Sequence, residues 1–200
     1  MDDSPLQFAV LGSTRGSSLI PILEGRKRGA FDSKLRVIVS NKKDSGILEK
    51  ARQNGIEDLW IPVKGRDRES YDREVSEVLK TRGIDFILLI GFMRIFSPYF
   101  VREWPGRIIN VHPSLLPKHG GLMDLDVHRS VLDAGDSESG CSIHIVTEAV
   151  DEGPVVLQKK CAVEPQDTPE SLRARVQPLE GEAFLEILKD PRKYLELRQA

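Results

Sequence analysis

The sequence predicts an α/β fold: a Rossmann-like, mainly parallel central sheet with helices on both faces, followed by a C-terminal β-hairpin and a long helix. Three observations predict it. Through the first half, short apolar runs alternate with stretches of helical spacing, the rhythm of consecutive βαβ units. Several of those runs are continuously apolar, as strands buried on both faces should be. Beyond the Pro- and Gly-rich passage Pro113–Gly121 the pattern changes to one helix, two strand-like runs joined by a tight turn, and a final capped helix.

Each element has its own signal. Strands are expected at Leu6–Leu11, Leu35–Val39, Leu59–Val63, Phe86–Ile90 and Ile108–Val111. Between them, Ser17–Arg28, Ser45–Asn54 and Arg68–Arg82 carry helical spacing, with Ser45 as N-cap and Gly55 and Gly83 as C-terminal stops. A helix is expected around Asp126–Ala134, then strands at Cys141–Val146 and Val155–Val163 joined through AVDEGP. The closing helix, Pro169–Leu188, follows the cap Thr168, with Pro169 at its first position and Glu170 in the positive first turn. The polar tail Lys189–Ala200 is expected to fray beyond its last helical turn. In a sheet of this kind ligands bind at the carboxyl ends of the strands, so the site belongs in the loops after them.

With 200 residues, 40% hydrophobic and 30% charged, the chain can bury a core as a single domain spanning 1–200. Lys+Arg 29 against Asp+Glu 31 leaves a net charge of −2, which offers no electrostatic footprint for nucleic acid or an anionic membrane. Cys141 and Cys161 are too few for a disulfide framework or a zinc site and fit a reducing, cytoplasmic setting. The first residues, MDDSPLQF, lack an export signal. The longest apolar run, Phe86–Phe92, falls far short of the ~20 residues of a membrane-spanning helix.

Four segments could carry chemistry. The turn GSTRGSSL, Gly12–Leu19, lies between a strand and a helix, where glycines let the backbone approach a ligand and free N–H groups face outward, a ready phosphate site. A serine-capped glycine turn would read the same, and the spacing matches neither the dinucleotide nor the Walker pattern. In RIINVHPSLLPKHGG, Asn110 and His112 share one face of a strand end, so an amide and an imidazole project together, a pairing suited to attack on a carbonyl. Alone, the two could equally be strand-end and turn formers. In TEAVDEGP, Asp151 and Glu152 are ordinary turn formers unless the fold delivers Asp151 to His112, where it could orient the ring. In GFMRIFSP, Met93, Ile95 and Phe96 could line an apolar slot for a flat heterocycle or simply belong to the core beside a solvated Arg94. His119, His128 and His144 show no metal-ligand spacing.

Taken together, VSNKKDSGILEKARQNGI, DRESYDREV, LLIGFMRIFSPYFV, INVHPSLLPKHGGL, GCSIHIVTEAVDEGPVVLQ and DTPESLRARVQPLEGEAF, in this order over nearly the whole chain, resemble the folate-dependent phosphoribosylglycinamide formyltransferases. These belong to the wider group of formyltetrahydrofolate-using formyltransferases, which shares HPSLLP. The resemblance implies the formyltransferase fold and transfer of a formyl group from 10-formyltetrahydrofolate to the amine of 5-phosphoribosylglycinamide, in purine biosynthesis and without a metal. It implies Asn110, His112 and Asp151 as the catalytic set and Gly16, Ser17, Ser18 and Glu180 as ribonucleotide contacts. The reduced folate would be held by Arg68, by Met93, Arg94, Ile95 and Phe96, by Asn110, and by Thr147, Glu148, Ala149, Val150 and Asp151. Residues 1–110 would then form the nucleotide and phosphate half, and 111–200 the catalytic-loop and folate half.

Two segments depart from the family pattern. In GSTRGSSL, Ser18 replaces an amide and Arg15 is an added charge; LMDLDVHRSVL is longer than the usual link and adds Asp124 and Asp126 near the expected mouth. The competing readings are a methionyl-tRNA or amino-sugar formyltransferase, a formyltetrahydrofolate hydrolase, and a non-catalytic phosphometabolite-binding module. A tRNA enzyme would carry a further C-terminal domain and a basic surface, and the hydrolase an added N-terminal domain. No membrane or nucleic-acid partner is expected, and the hairpin edge of the sheet suits a homodimer.

Overall fold

Alternate residues of the central strands enter two separate cores, and that division sets the architecture. The computed structural model describes residues 4–196. In chain order the elements are β1 (Gln7–Leu11), α1 (Leu19–Lys27), β2 (Lys34–Ser40), α2 (Gly46–Gln53), β3 (Glu57–Trp60), α3 (Arg68–Lys80) and β4 (Phe86–Leu89). They continue with α4 (Pro98–Glu103), β5 (Ile108–His112), α5 (Leu125–Asp133), β6 (Glu138–Ile145), β7 (Val155–Ala162), α6 (Pro169–Lys189) and α7 (Pro191–Glu196). The seven strands form one sheet in the order β3-β2-β1-β4-β5-β6-β7. The first five are parallel, and β6 and β7 run antiparallel.

Phe8, Val10, Ile38, Phe86 and Leu88 point into the layer covered by α1, α2, α5 and α6, while Ala9, Leu11, Val37, Ile87 and Leu89 point into the layer covered by α3 and α4. Burying each of the larger side chains stabilises the fold by roughly 1.5–3 kcal/mol. Phe8 stacks on Phe86 at 5.3 Å across β1 and β4, and Phe92, Phe96, Phe100 and Trp104 form a continuous aromatic row under α4. The cap expected at Thr168 forms, Thr168 and Ser171 exchanging bonds in a capping box that starts α6. Ser45 stands at the N-cap of α2 but makes no side-chain bond to its helix, its hydroxyl donating instead to Ser40 Oγ at 2.9 Å, and α3 is started by Asp67, which accepts from the Ser70 N–H.

Several expectations shift, among them the sixth strand, which begins at Glu138 and not at Cys141. The third strand ends at Trp60 instead of reaching Val63, because after Ile61 donates to the Ser40 carbonyl the chain meets Pro62, which has no N–H to extend the ladder. The segment read only as apolar slot or core, Gly91–Pro98, leads straight into a short helix that was not expected, α4, begun by the N-cap Ser97 and by Pro98 at its first position. The tail does not fray from Lys189: Pro191–Glu196 forms α7, with Tyr194 buried against the main core; the last four residues of that expectation lie outside the described residues. No helix among the described residues is long and apolar enough to cross a membrane.

Candidate active site

Asn110 and His112 alternate on β5, so both side chains leave the same face of the sheet at its carboxyl end. The antiparallel register of β5 with β6 sets Asn110 opposite His144 and His112 opposite Ser142. Asp151 arrives from the turn between β6 and β7. A Cβ on Gly153 would lie 1.8 Å from the Ile145 carbonyl oxygen, so only glycine permits this close crossing, and the Ile145 N–H donates to the Pro154 carbonyl at 3.0 Å. Asp151 itself has φ +57°, the left-handed region that aspartate tolerates better than most residues.

The turn delivers the Asp151 carboxylate to two imidazoles. His112 Nδ1 lies 3.2 Å from Asp151 Oδ2, and His144 Nε2 lies 3.4 Å from Asp151 Oδ1. Asn110 Nδ2 lies 3.0 Å from His144 Nε2, so the carboxamide, the second imidazole, the carboxylate and the first imidazole form one connected chain. The Gly121 N–H donates to Asp151 Oδ2 at 2.9 Å. Burial pushes the Asp151 carboxyl up, but the contacts from His112 and His144 and the Gly121 N–H outweigh it and hold the group well below the usual carboxylate range. An ionised carboxylate thus faces His112 Nδ1, while His112 Nε2 meets the His119 carbonyl oxygen at 2.9 Å. Both ring nitrogens face acceptors, so the doubly protonated ring satisfies both, the form that can stabilise an oxyanion.

The loop after His112 is tied to the hairpin. Ser142 Oγ donates to the Ser114 carbonyl and accepts from the Leu116 N–H, and Gln158 Nε2 donates to the Leu116 carbonyl. His128, buried on α5 nearby, is pushed down to about 4 first by burial and then by Arg173, so it is neutral near pH 7.

The glycine turn lies beside α6. Gly16 adopts φ +65°, and a Cβ there would strike Ile47 at 2.7 Å. Gly181 of α6 packs directly on Pro21 of α1, which brings Glu180 to the start of α1. There Ser18, the cap residue of α1, donates its hydroxyl to Glu180 Oε2 and not to its own helix. Burial raises the Glu180 carboxyl above its ordinary value, partly countered by the Ser18 bond. Ser13 fastens the same turn to its neighbours: its Oγ donates to Asn41 Oδ1 at 2.6 Å and accepts from the Met93 N–H at 3.1 Å. Arg15 is exposed, its carbonyl accepting from Lys50 Nζ.

The Met93–Phe96 segment divides its roles. Met93 and Ile95 are exposed, 42% and 56%, whereas the Phe96 ring is buried in the aromatic row, so only its backbone remains to face a ligand. Arg94 lies over the Tyr71 ring at 4.7 Å, and Arg68 sits at the first position of α3. In the β6–β7 turn, Thr147 Oγ1 donates to the Ala149 carbonyl, Glu148 pairs with Arg102 at 3.5 Å, and Val150 is exposed.

The model of the family described as "Formyl transferase" matches residues 6–188. The chain belongs to the formyl transferase family. It is 43% identical over 173 residues to the phosphoribosylglycinamide formyltransferase of Escherichia coli, covering 86% of this chain and 80% of that protein. It is 41% identical to the trifunctional purine biosynthetic protein adenosine-3 of Drosophila melanogaster, of which it spans 13%. Among solved structures, a glycinamide ribonucleotide transformylase of Symbiobacterium toebii is similar with a TM-score of 0.89 at 34% identity, covering 97% of this chain and 89% of that one. The α/β formyltransferase fold expected from the sequence is therefore the fold of this family.

The candidate site also contains groups with no signal of their own in the sequence. His144, which shows no metal-ligand spacing, is buried between Asn110 and Asp151; the alternation of β6 opposite β5 is the signal that places it. The Gly121 N–H and the His119 carbonyl are backbone contributions with no side-chain signature. Asp124, from the segment longer than usual, pairs with Arg173 of α6 at 2.9 Å, and Asp126 pairs with Arg129 one turn on. Glu152, by contrast, makes only a backbone turn contact, its N–H donating to the Ala149 carbonyl. The described residues contain no group of three or more His, Cys, Asp or Glu side chains arranged to hold a metal.

Proposed function

We propose that this formyl transferase moves a formyl group from 10-formyltetrahydrofolate to the amine of 5-phosphoribosylglycinamide, a step of purine biosynthesis, in the cytoplasm. The observation that carries the reading is the Asp151 carboxylate 3.2 Å from His112 Nδ1 with Asn110 joined to it through His144. The amine of the ribonucleotide attacks the formyl carbon and forms the new C–N bond. The formyl oxygen takes the negative charge, and the Asn110 amide and protonated His112 donate to it. Asp151 pairs with His112 and, through a water, assists the movement of the proton that the attacking nitrogen loses. The bond from the formyl carbon to N10 of the folate then breaks, N10 takes the proton relayed from the attacking nitrogen, and the oxyanion returns to a carbonyl.

The backbone around Gly16, Ser17 and Ser18 receives the phosphate, and Glu180, held by Ser18, binds the ribonucleotide. Arg68 and Arg94 supply positive charge toward the acidic end of the folate. Met93 and Ile95 supply apolar surface for its ring, and the backbone of Phe96 and of Thr147, Glu148, Ala149, Val150 and Asp151, with Asn110, reads the polar edge. In this division residues 1–110 hold the ribonucleotide phosphate and 111–200 carry the catalytic loop of one domain. No metal takes part, neither nucleic acid nor membrane is a partner, and a homodimer through the hairpin edge is the assembly we propose.

The test offers purified protein 10-formyltetrahydrofolate with 5-phosphoribosylglycinamide, methionyl-tRNA or an amino sugar nucleotide in turn. Release of tetrahydrofolate with a formyl mass gain on the glycinamide alone is expected; formylation of another acceptor, or of none, would refute the assignment.

A further inference from the structure

A second histidine–aspartate pair lies behind the first. His119 Nε2 is 3.0 Å from Asp136 Oδ2, just beyond α5, and His119 Nδ1 is 2.8 Å from Ser130 Oγ on α5. The tautomer with hydrogen on Nε2 satisfies both contacts, donating to the carboxylate and accepting from the hydroxyl. Asp136 is itself held by Lys118 Nζ at 2.7 Å. The His119 backbone has φ +60°, the left-handed region uncommon for residues other than glycine, and the side-chain contacts to Asp136 and Ser130 hold it there. Its carbonyl is thereby aimed at His112 Nε2, 2.9 Å away, and two residues on the Gly121 N–H meets Asp151 Oδ2 at 2.9 Å. One short stretch of chain thus touches both members of the His112–Asp151 pair, and its conformation is set from outside the site.

We propose that His119, pinned by Asp136 and Ser130, is a positioning residue that aims the His112 imidazole and keeps its Nε2 hydrogen in place until the formyl oxygen takes over from the His119 carbonyl. The inference rests on the formyl-transfer reading above. Without the pins, residue 119 relaxes out of the left-handed region and its carbonyl swings off His112. The ribonucleotide turn lies on other elements, so the effect falls on turnover and not on binding.

The experiment measures kcat and KM for both substrates in the wild type, His119→Ala, His119→Gln and Asp136→Asn, with thermal melts to check folding. His119→Ala is expected to lower kcat about tenfold or more with each KM within about twofold, and His119→Gln, whose amide can still donate to Asp136, to recover most of the loss. Added to a His112→Ala background, His119→Ala is expected to change the residual rate by less than about twofold, since its effect passes through that ring. Unchanged kcat in a folded His119→Ala protein, a Gln variant no better than Ala, or an undiminished loss in the His112→Ala background would overturn the inference. If His119→Ala does not fold, Asp136→Asn decides: a kcat lowered about threefold or more supports it, and an unchanged kcat overturns it. An inactive wild type would instead remove the formyl-transfer reading on which this one stands, while an active enzyme indifferent to residue 119 would remove this inference alone.

Discussion

The Asp151 carboxylate lies 3.2 Å from His112 Nδ1, although one residue closes a parallel strand and the other sits in the turn of an antiparallel hairpin. Removing either partner leaves the other buried without its counter-charge. His112→Ala and Asp151→Asn are each expected to reduce kcat by about 10²- to 10⁴-fold while the dissociation constant of 5-phosphoribosylglycinamide, measured by calorimetry, changes by less than about threefold. A loss confined to binding would contradict the role given to the pair.

The pH dependence of stability has a definite sign. Asp151 is held below the ordinary carboxylate range in the folded protein, so its contribution is fully present above the unfolded value near 4 and fades as the pH falls below it. In urea titrations the wild type should lose more stability than Asp151→Asn between about pH 5 and pH 3. Parallel acid limbs would contradict this.

Glu180 works in the opposite direction. Burial raises its carboxyl in the folded state, so its acid form is favoured there and the stability it contributes at low pH is lost as the pH rises through the folded value. Glu180→Gln is expected to melt at a higher temperature than the wild type at pH 8, with the difference shrinking at pH 4, and to bind the ribonucleotide more weakly. A lower melting point at pH 8 would show that the charged form is well accommodated.

Gly153 tests the hairpin crossing. Gly153→Ala places a methyl group against the Ile145 carbonyl and is expected to destabilise the protein by about 2 kcal/mol or more in urea unfolding. Because the shift also moves Asp151, kcat should fall more than either KM. Wild-type stability and turnover would refute the steric argument.

The mechanism proposed for formyl transfer uses only the hydrogen-bonding groups of Asn110, His112 and Asp151. Steady-state rates are expected to be unchanged after dialysis against a chelator. Loss of rate restored by added zinc would contradict the metal-free mechanism.

Much of this was legible in the residues themselves. Phe86–Leu89 and the capping signal at Thr168 are local, so this strand and α6 form where spacing predicts. Asn110 and His112 share a face by strand alternation alone. What one pass along the chain did not supply were contacts made by register and turn geometry: His144 reaches Asn110 only through the pairing of β6 with β5, and the His119 carbonyl and Gly121 N–H act through backbone dihedrals. The six-residue α4 is too short to show helical spacing, although Ser97 and Pro98 carry its start signal.

The most direct test of the central claim is a double-mutant cycle in kcat for formyl transfer to 5-phosphoribosylglycinamide, using His112→Ala, Asp151→Asn and the pair together. If imidazole and carboxylate act as one unit, the double variant should be no slower than the slower single variant within about threefold. Losses that multiply would show two independent groups and contradict the account.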